Sequence, residues 1–230
     1  MDKLEHIAEQ IRKAFDAQTL ARDQALSQAR ALTRHCALAI RAVHRQEVDT
    51  MDKHLSEAHR LANDLKNTLT DYPDLYYAGY TQDALKEYVE ACNTCALLND
   101  QPLLTPEELG VTHFTYLNGL AEVIGELRRR ILDILRHGYS EQAERLLEIM
   151  DDIYAVLVTM DYPEAITNGL RRQTDVARGI IERTRSDVTF SLRSEQLARA
   201  MSSLSQQLNG VEVDDAAGAY LIPGERDSET

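Results

Sequence analysis

From about residue 2 to residue 46 the chain contains no glycine and no proline. A stretch this long, rich in Ala, Leu, Glu, Gln and Arg, has one regular option: a helix of some 40 residues, ~60 Å at 1.5 Å per residue. Leu4, Ile7, Ile11 and Phe15 keep helical spacing, and Leu32, Cys36, Ile40 and Val43 resume it. Residues 164–208 read as a second very long helix, interrupted only by Gly169 and Gly179. The whole chain of 230 residues has only 5 Pro and 10 Gly, and the alternation that marks strands is almost absent. The fold class is therefore all-α. Helices of this length project past any compact bundle, and a partner subunit is the natural cover for their ends. A homo-oligomer is expected.

Between the two long elements the pattern divides further. Met51, Leu55, Ala58, Ala62, Leu65 and Leu69 mark a helix over 48–71. Pro73 and Gly79 bracket a loop rich in tyrosine, and a third helix spans 81–98. Thr105-Pro106-Glu107-Glu108 combines an N-cap, a proline at the first helical position and a capping-box glutamate, which predicts a short helical turn. A helix over 111–136 ends at His137-Gly138, Ser140 caps another reaching about 160, and Asp161-Tyr162-Pro163 is a hinge. The count is six or seven helices in one domain, 1–209. Gly210 ends the last helix, and the tail 210–230 has no period and is expected to be mobile.

Cys36, Cys92 and Cys95 are the only cysteines. With no signal peptide and no apolar run of about 18 residues, the expectation is a soluble cytoplasmic protein with reduced thiols and no membrane partner. Cys92 and Cys95 form a CxxC inside a helix, without a second Cys or His pair nearby, and read as small core residues. The net charge of −13 argues against an extensive basic surface, although 20 of the 25 basic residues are Arg, the side chain suited to bidentate phosphate contacts.

On the third helix, Leu85, Val89, Cys92 and Ala96 form one apolar stripe, and Ala84, Tyr88, Ala91, Cys95 and Leu98 a second. The narrow face left over carries Asp83, Glu87, Glu90 and Thr94. Three residues turn a helix by 300°, so Glu87 and Glu90 lie about 60° apart and repel, more strongly the drier the site. In "YLNGLAEVIGELRRR" and the residues just after it, Leu117, Leu120, Ile124, Leu127, Ile131 and Ile134 form the core stripe, while Glu122 and Glu126 project from the other side with Gly119 and Gly125 close by. Either pair alone could be a solvated face. If the two converge, four carboxylates offer the hard oxygen ligands that Mg²⁺ or Mn²⁺ takes, and the chemistry implied is phosphodiester hydrolysis. The ExxH motifs of helical di-iron proteins are missing.

Four segments in order, "IRAVHR" (40–45), "EYVEA" (87–91), "YLNGLAEVIGELRRR" (116–130) and "MDYPEAITNGLRRQTDVARGIIERTRSDVT" (160–189), resemble the translin family, translin and TRAX. The resemblance covers about residues 25–200. It implies an all-α fold of about seven helices assembled as a hollow octamer. It also implies that TRAX-type subunits are Mg²⁺-dependent endoribonucleases, whereas translin-type subunits mainly bind nucleic acid. The family's catalytic, metal-holding acids fall on Glu87, Glu90, Glu122 and Glu126. Glu122 stands where TRAX typically has Asp. With all four acids present, the resemblance implies a TRAX-like enzyme acting on single-stranded or locally opened RNA, with single-stranded DNA as a further ligand.

Arg30, Arg34, Arg41 and Arg45 recur along one face of the first helix, with His44 beside them, as either a solvated stripe or a phosphate track. Arg129 and Arg130, with Arg128, follow Glu126 and could hold a strand near the acids; three consecutive residues fan out, so at least one points away. Tyr76, Tyr77 and Tyr80 could stack on bases or staple their loop to the core. The histidines are dispersed and none is assigned a catalytic role. Two alternatives to a nuclease remain at this level. One is a non-catalytic binding shell. The other is an all-α nucleoside-triphosphate pyrophosphohydrolase, for which Glu148 and Asp151 would be the second acidic pair.

Overall fold

The computed structural model describes residues 2–211, and the stretch expected to be a mobile tail lies almost wholly outside them. Among the described residues there are nine helices and no strand. Six are long: α1 (Asp2–His44), α2 (Val48–Thr68), α4 (Gly79–Leu98), α6 (His113–Leu135), α7 (Glu141–Val158) and α9 (Leu170–Val211). Three are single turns of four residues: α3 (Pro73–Tyr76), α5 (Pro106–Leu109) and α8 (Glu164–Thr167). The higher count comes from these turns. Pro73 starts α3 inside the tyrosine loop, and Asn168 and Gly169, at φ 48° and 89°, separate α8 from α9. Gly179 makes no break, and α9 runs on through Gly210 to Val211.

The local signals act as their chemistry requires. Thr105 accepts from the Glu108 backbone N–H while the Glu108 carboxylate accepts from the Thr105 backbone N–H, a closed capping box. Ser140 accepts from the Gln142 backbone N–H at the start of α7.

Two large cores, with a smaller cluster of Ala39, Ala42, Val43, Met51 and Cys95, hold the chain together. Leu32, Cys36, Leu65, Leu85, Tyr88 and Val89 pack α1, α2 and α4 into one. Ile124, Leu127, Ile131, Leu146, Met150 and Leu170 pack α6, α7 and α9 into the other. The α4–α6 contact joins the halves. It is close because position 119 lacks a side chain: a Cβ there would lie 2.7 Å from Val89 Cβ and 2.8 Å from the Lys86 carbonyl oxygen. A Cβ at Gly125 would meet nothing within 4 Å, so only the first of the two glycines serves close approach.

Both long helices overhang this body. The first nineteen or so residues of α1 expose Leu4, Ile7, Ile11, Phe15 and Leu20, over ~30 Å of helix. Beyond Val188, α9 exposes Phe190, Leu197, Met201, Leu204 and Leu208. Among the described residues, no helix is long and apolar enough to cross a membrane.

Candidate metal centre

The close α4–α6 contact brings the acids together. Glu87, Glu90 and Glu122 each offer a carboxylate oxygen, and these oxygens all lie within 4.8 Å of one another. The three side chains are half-buried. Glu126 stands one turn further along α6 and is held elsewhere: His44 Nε2 donates to its Oε2 at 2.6 Å, and Arg129 Nη1 reaches the same oxygen at 3.3 Å. Glu122 is fixed in the same fashion. Lys86 Nζ donates to its Oε1 at 2.7 Å, and Gln173 Nε2 lies 3.4 Å from that oxygen. Each α6 acid is therefore oriented through one oxygen, and the other oxygen has no hydrogen-bond partner among the described residues. Glu87 and Glu90 have none on either oxygen.

The electrostatics divide the four acids. Burial pushes Glu90 up to about 8, and the charges of Glu122, Glu87 and Glu126 add to it against the opposing pull of Lys86. Glu87 is raised by burial and then by Glu122. Burial also acts upward on Glu126, but the hydrogen bond and attraction of His44, with Arg129, outweigh it and hold that carboxyl below the usual range. Burial tends to lower Lys86, but its hydrogen bond to Glu122 and the surrounding acids keep the ammonium above its ordinary value. Three carboxylates crowded at one point, two of them with a raised proton affinity, fit a divalent cation. A cation within 2–3 Å of each oxygen offsets both the burial of the charged carboxylates and their mutual repulsion, and hard oxygen ligands match Mg²⁺ and Mn²⁺.

A model of the translin family matches residues 6–188. The chain belongs to the translin family. An uncharacterized protein of Methanocaldococcus jannaschii is 32% identical over 193 residues, which cover 81% of this chain and 85% of that protein. Among solved structures, AfC3PO in complex with duplex RNA superposes with a TM-score of 0.76 at 34% identity, covering 81% of this chain and 97% of that one. AfC3PO by itself gives 0.75 at 33% identity, with 81% and 97% covered. Apo-NeC3PO, at 22% identity and a TM-score of 0.72 over 83% and 98% of the two chains, shares the fold.

The remaining residues singled out in this translin-family chain sort as follows. Arg30, Arg34 and Arg41 are exposed on α1 and make no ion pair among the described residues, and Arg45 reaches only Glu47, at 3.8 Å. The stripe runs beside His44, which lies about 60° around the helix from Arg41, so it leads toward Glu126. Arg130 lines a cleft of about 570 Å³ with His44, Arg136 and His137. Arg128 is the one that points away, donating to Thr184 Oγ1 and pairing with Asp187 on α9, both at 2.9 Å. Tyr76 and Tyr80 pack on the first core, while Tyr77 is 60% exposed. Cys36, Cys92 and Cys95 are buried thiols, the latter two pushed up to about 12 by burial, and act as core residues. Asp151 is engaged by Arg185 at 2.7 Å and Glu148 is exposed on α7, so this pair stays apart from the acidic cluster.

Sequence reasoning gave no part in the cluster to three residues that shape it: His44, placed only beside the arginine stripe, Lys86 and Gln173. Lys86 had a signal, being four residues before Glu90 and so about 40° from it, at the edge of the acidic face. His44 and Gln173 had none, because they arrive from 82 residues before Glu126 and 51 after Glu122.

Proposed function

We propose that this translin-family chain is a Mg²⁺-dependent endoribonuclease of the TRAX type, cutting single-stranded or locally opened RNA inside a closed homo-oligomer. The observation that carries the reading is the convergence of Glu87, Glu90 and Glu122 within 4.8 Å, with no ion pair to the two α4 acids among the described residues. These three would hold the metal, with Glu126 beside them. Bound Mg²⁺ would supply a Lewis acid for the phosphodiester and lower the pKa of a coordinated water. The chain's own residues do the rest. Lys86 and Gln173 hold Glu122 by Oε1, and His44 and Arg129 hold Glu126 by Oε2. Glu126, kept ionised, can accept a proton from the attacking water on its free oxygen. The α1 arginines and Arg130 bind phosphates without reading sequence. That the neighbouring AfC3PO was solved with duplex RNA supports RNA as the ligand, and the overhanging apolar seams support assembly, as eight subunits on the family pattern.

Labelled RNA incubated with and without Mg²⁺ tests the reading. Glu87→Gln and Glu90→Gln are expected to lower cleavage by at least ~10²-fold, the scale on which single catalytic groups act, with native mass unchanged. Wild-type rates in both variants would sink the assignment. Salt-sensitive RNA binding with no Mg²⁺-dependent cleavage would make the protein a non-catalytic shell.

A further inference from the structure

Beside the acidic cluster lies a small polar recess of about 110 Å³ between the start of α4, the start of α6 and the α8–α9 junction. It shares a wall with the cluster, because Lys86 and Gln173, the two residues that hold Glu122, also line it. A nucleotide with its phosphate at the acids would therefore have its base or its neighbour's within reach of the recess. The volume exceeds what one or two waters need, at about 30 Å³ each in the liquid.

The groups in the recess are unusually one-sided. Asp83 is exposed at its mouth and has no ion pair or hydrogen bond among the described residues. The Asn118 amide nitrogen is committed to two carbonyls, of Phe114 at 2.8 Å and Thr167 at 2.9 Å, so its Oδ1 is the free end. The Gln173 amide nitrogen faces Glu122, so its Oε1 is also free. Against these three acceptors stand the committed donors Lys86, Gln82 and Thr115, the last two spent on the Tyr76 carbonyl and on Gln82 Oε1, and the side-chain amide of the exposed Asn168. Phe114, half-buried, adds an aromatic face.

We propose that this recess binds the guanine base of a nucleotide next to the scissile phosphate, and so makes cleavage guanine-selective. The inference rests on the nuclease reading for its meaning. A carboxylate wants two adjacent N–H donors, and of the four bases only guanine presents them, N1–H beside the N2 amino group. Adenine and cytosine set a ring-nitrogen lone pair next to their amino group, and uracil sets carbonyls on both sides of its single N–H. Asp83 takes the guanine edge, Asn168 donates to O6, and Phe114 stacks on the ring.

Two measurements on the full chain test it. Cut sites are mapped on a random-sequence single-stranded RNA with Mg²⁺. Guanine is expected at a fixed offset from the cut with an enrichment on the order of tenfold, the discrimination a bidentate contact supplies. Asp83→Asn, an exposed change that puts a donor where an acceptor stood, is expected to erase the enrichment. In metal-free buffer, calorimetric titrations with GMP, AMP, CMP and UMP should show GMP tightest in the wild type and the four level in Asp83→Asn. Cleavage without guanine bias, or a bias that survives Asp83→Asn, overturns the proposal. Should the wild type cut nothing, the nuclease reading falls and the titrations decide alone: equal affinities overturn the recess, and a GMP preference that Asp83→Asn abolishes upholds it as a guanine site.

Discussion

At the scale of single residues, Glu90 is the most informative position. Its raised proton affinity has a definite sign in stability. The unfolded chain releases this proton near pH 4.5, whereas the folded chain keeps it to about 8. Between those values the folded state binds more protons than the unfolded state, so stability falls as pH rises, and above about 8 no more is lost. Glu90→Gln removes the slope. In EDTA, the variant is expected to melt higher than wild type at pH 8, by on the order of 2 kcal/mol, with the gap closing toward pH 5. Water reaching the partly open site holds that figure below the cost of the same change in proton affinity in a dry interior. Mg²⁺ should narrow the gap from the other side, stabilising the wild type in proportion to its occupancy. A pH-independent difference between the two proteins would show that Glu90 is not the titrating group. The crowding of Glu87 and Glu90 was legible in the sequence, since they lie on the one face left between two apolar stripes. The separate state of Glu126 was not, because it depends on His44 arriving from another helix.

At the scale of helices, the site exists because α4 and α6 touch, and that contact turns on Gly119. A methyl group there would press on Val89 and on the backbone carbonyl of Lys86, which cannot swing aside. Gly119→Ala is expected to cost about 1–3 kcal/mol by overpacking and to weaken Mg²⁺ binding by moving the two pairs of acids apart. Gly125→Ala is the control. It has open space around it and should gain up to ~1 kcal/mol from helix propensity. Urea melts of both variants, with Mg²⁺ titrations, separate the two effects; equal behaviour would refute the packing argument. Sequence spacing placed both glycines beside the acids but could not tell which one meets a neighbour. Helix existence was readable from Gly and Pro positions and from apolar periodicity. The three single-turn helices were not all foreseen, because one turn contributes too few residues to establish a period.

At the scale of the whole molecule, the overhangs of α1 and α9 set what the isolated chain lacks. Phe190, Leu197 and Leu204 recur every seven residues, with Met201 and Leu208 four beyond the last two, which is the spacing of a helix-to-helix seam. Each is more than half exposed, so the fold of one subunit does not depend on it. Leu197→Asp combined with Leu204→Asp is therefore expected to leave helicity and the monomer's melting intact while lowering native mass. An unchanged native mass would remove α9 from the assembly surface. The sequence led to this expectation through length alone, since a helix of 43 residues outruns a body built on helices of 18–23.

Taken by itself, the amino-acid sequence determined the fold class, the family and which side of α4 and α6 carries acid. These follow from helical period and chain length, and both are local properties. Only the tertiary structure decided that three of the four acids share one point while the fourth is tied to His44. It also decided that Lys86 and Gln173 orient Glu122, and that Asp83 and Phe114 close a recess next to them. Those relations join residues tens of positions apart through the close approach of α4 to α6, and no repeat in the chain encodes how near two helices come.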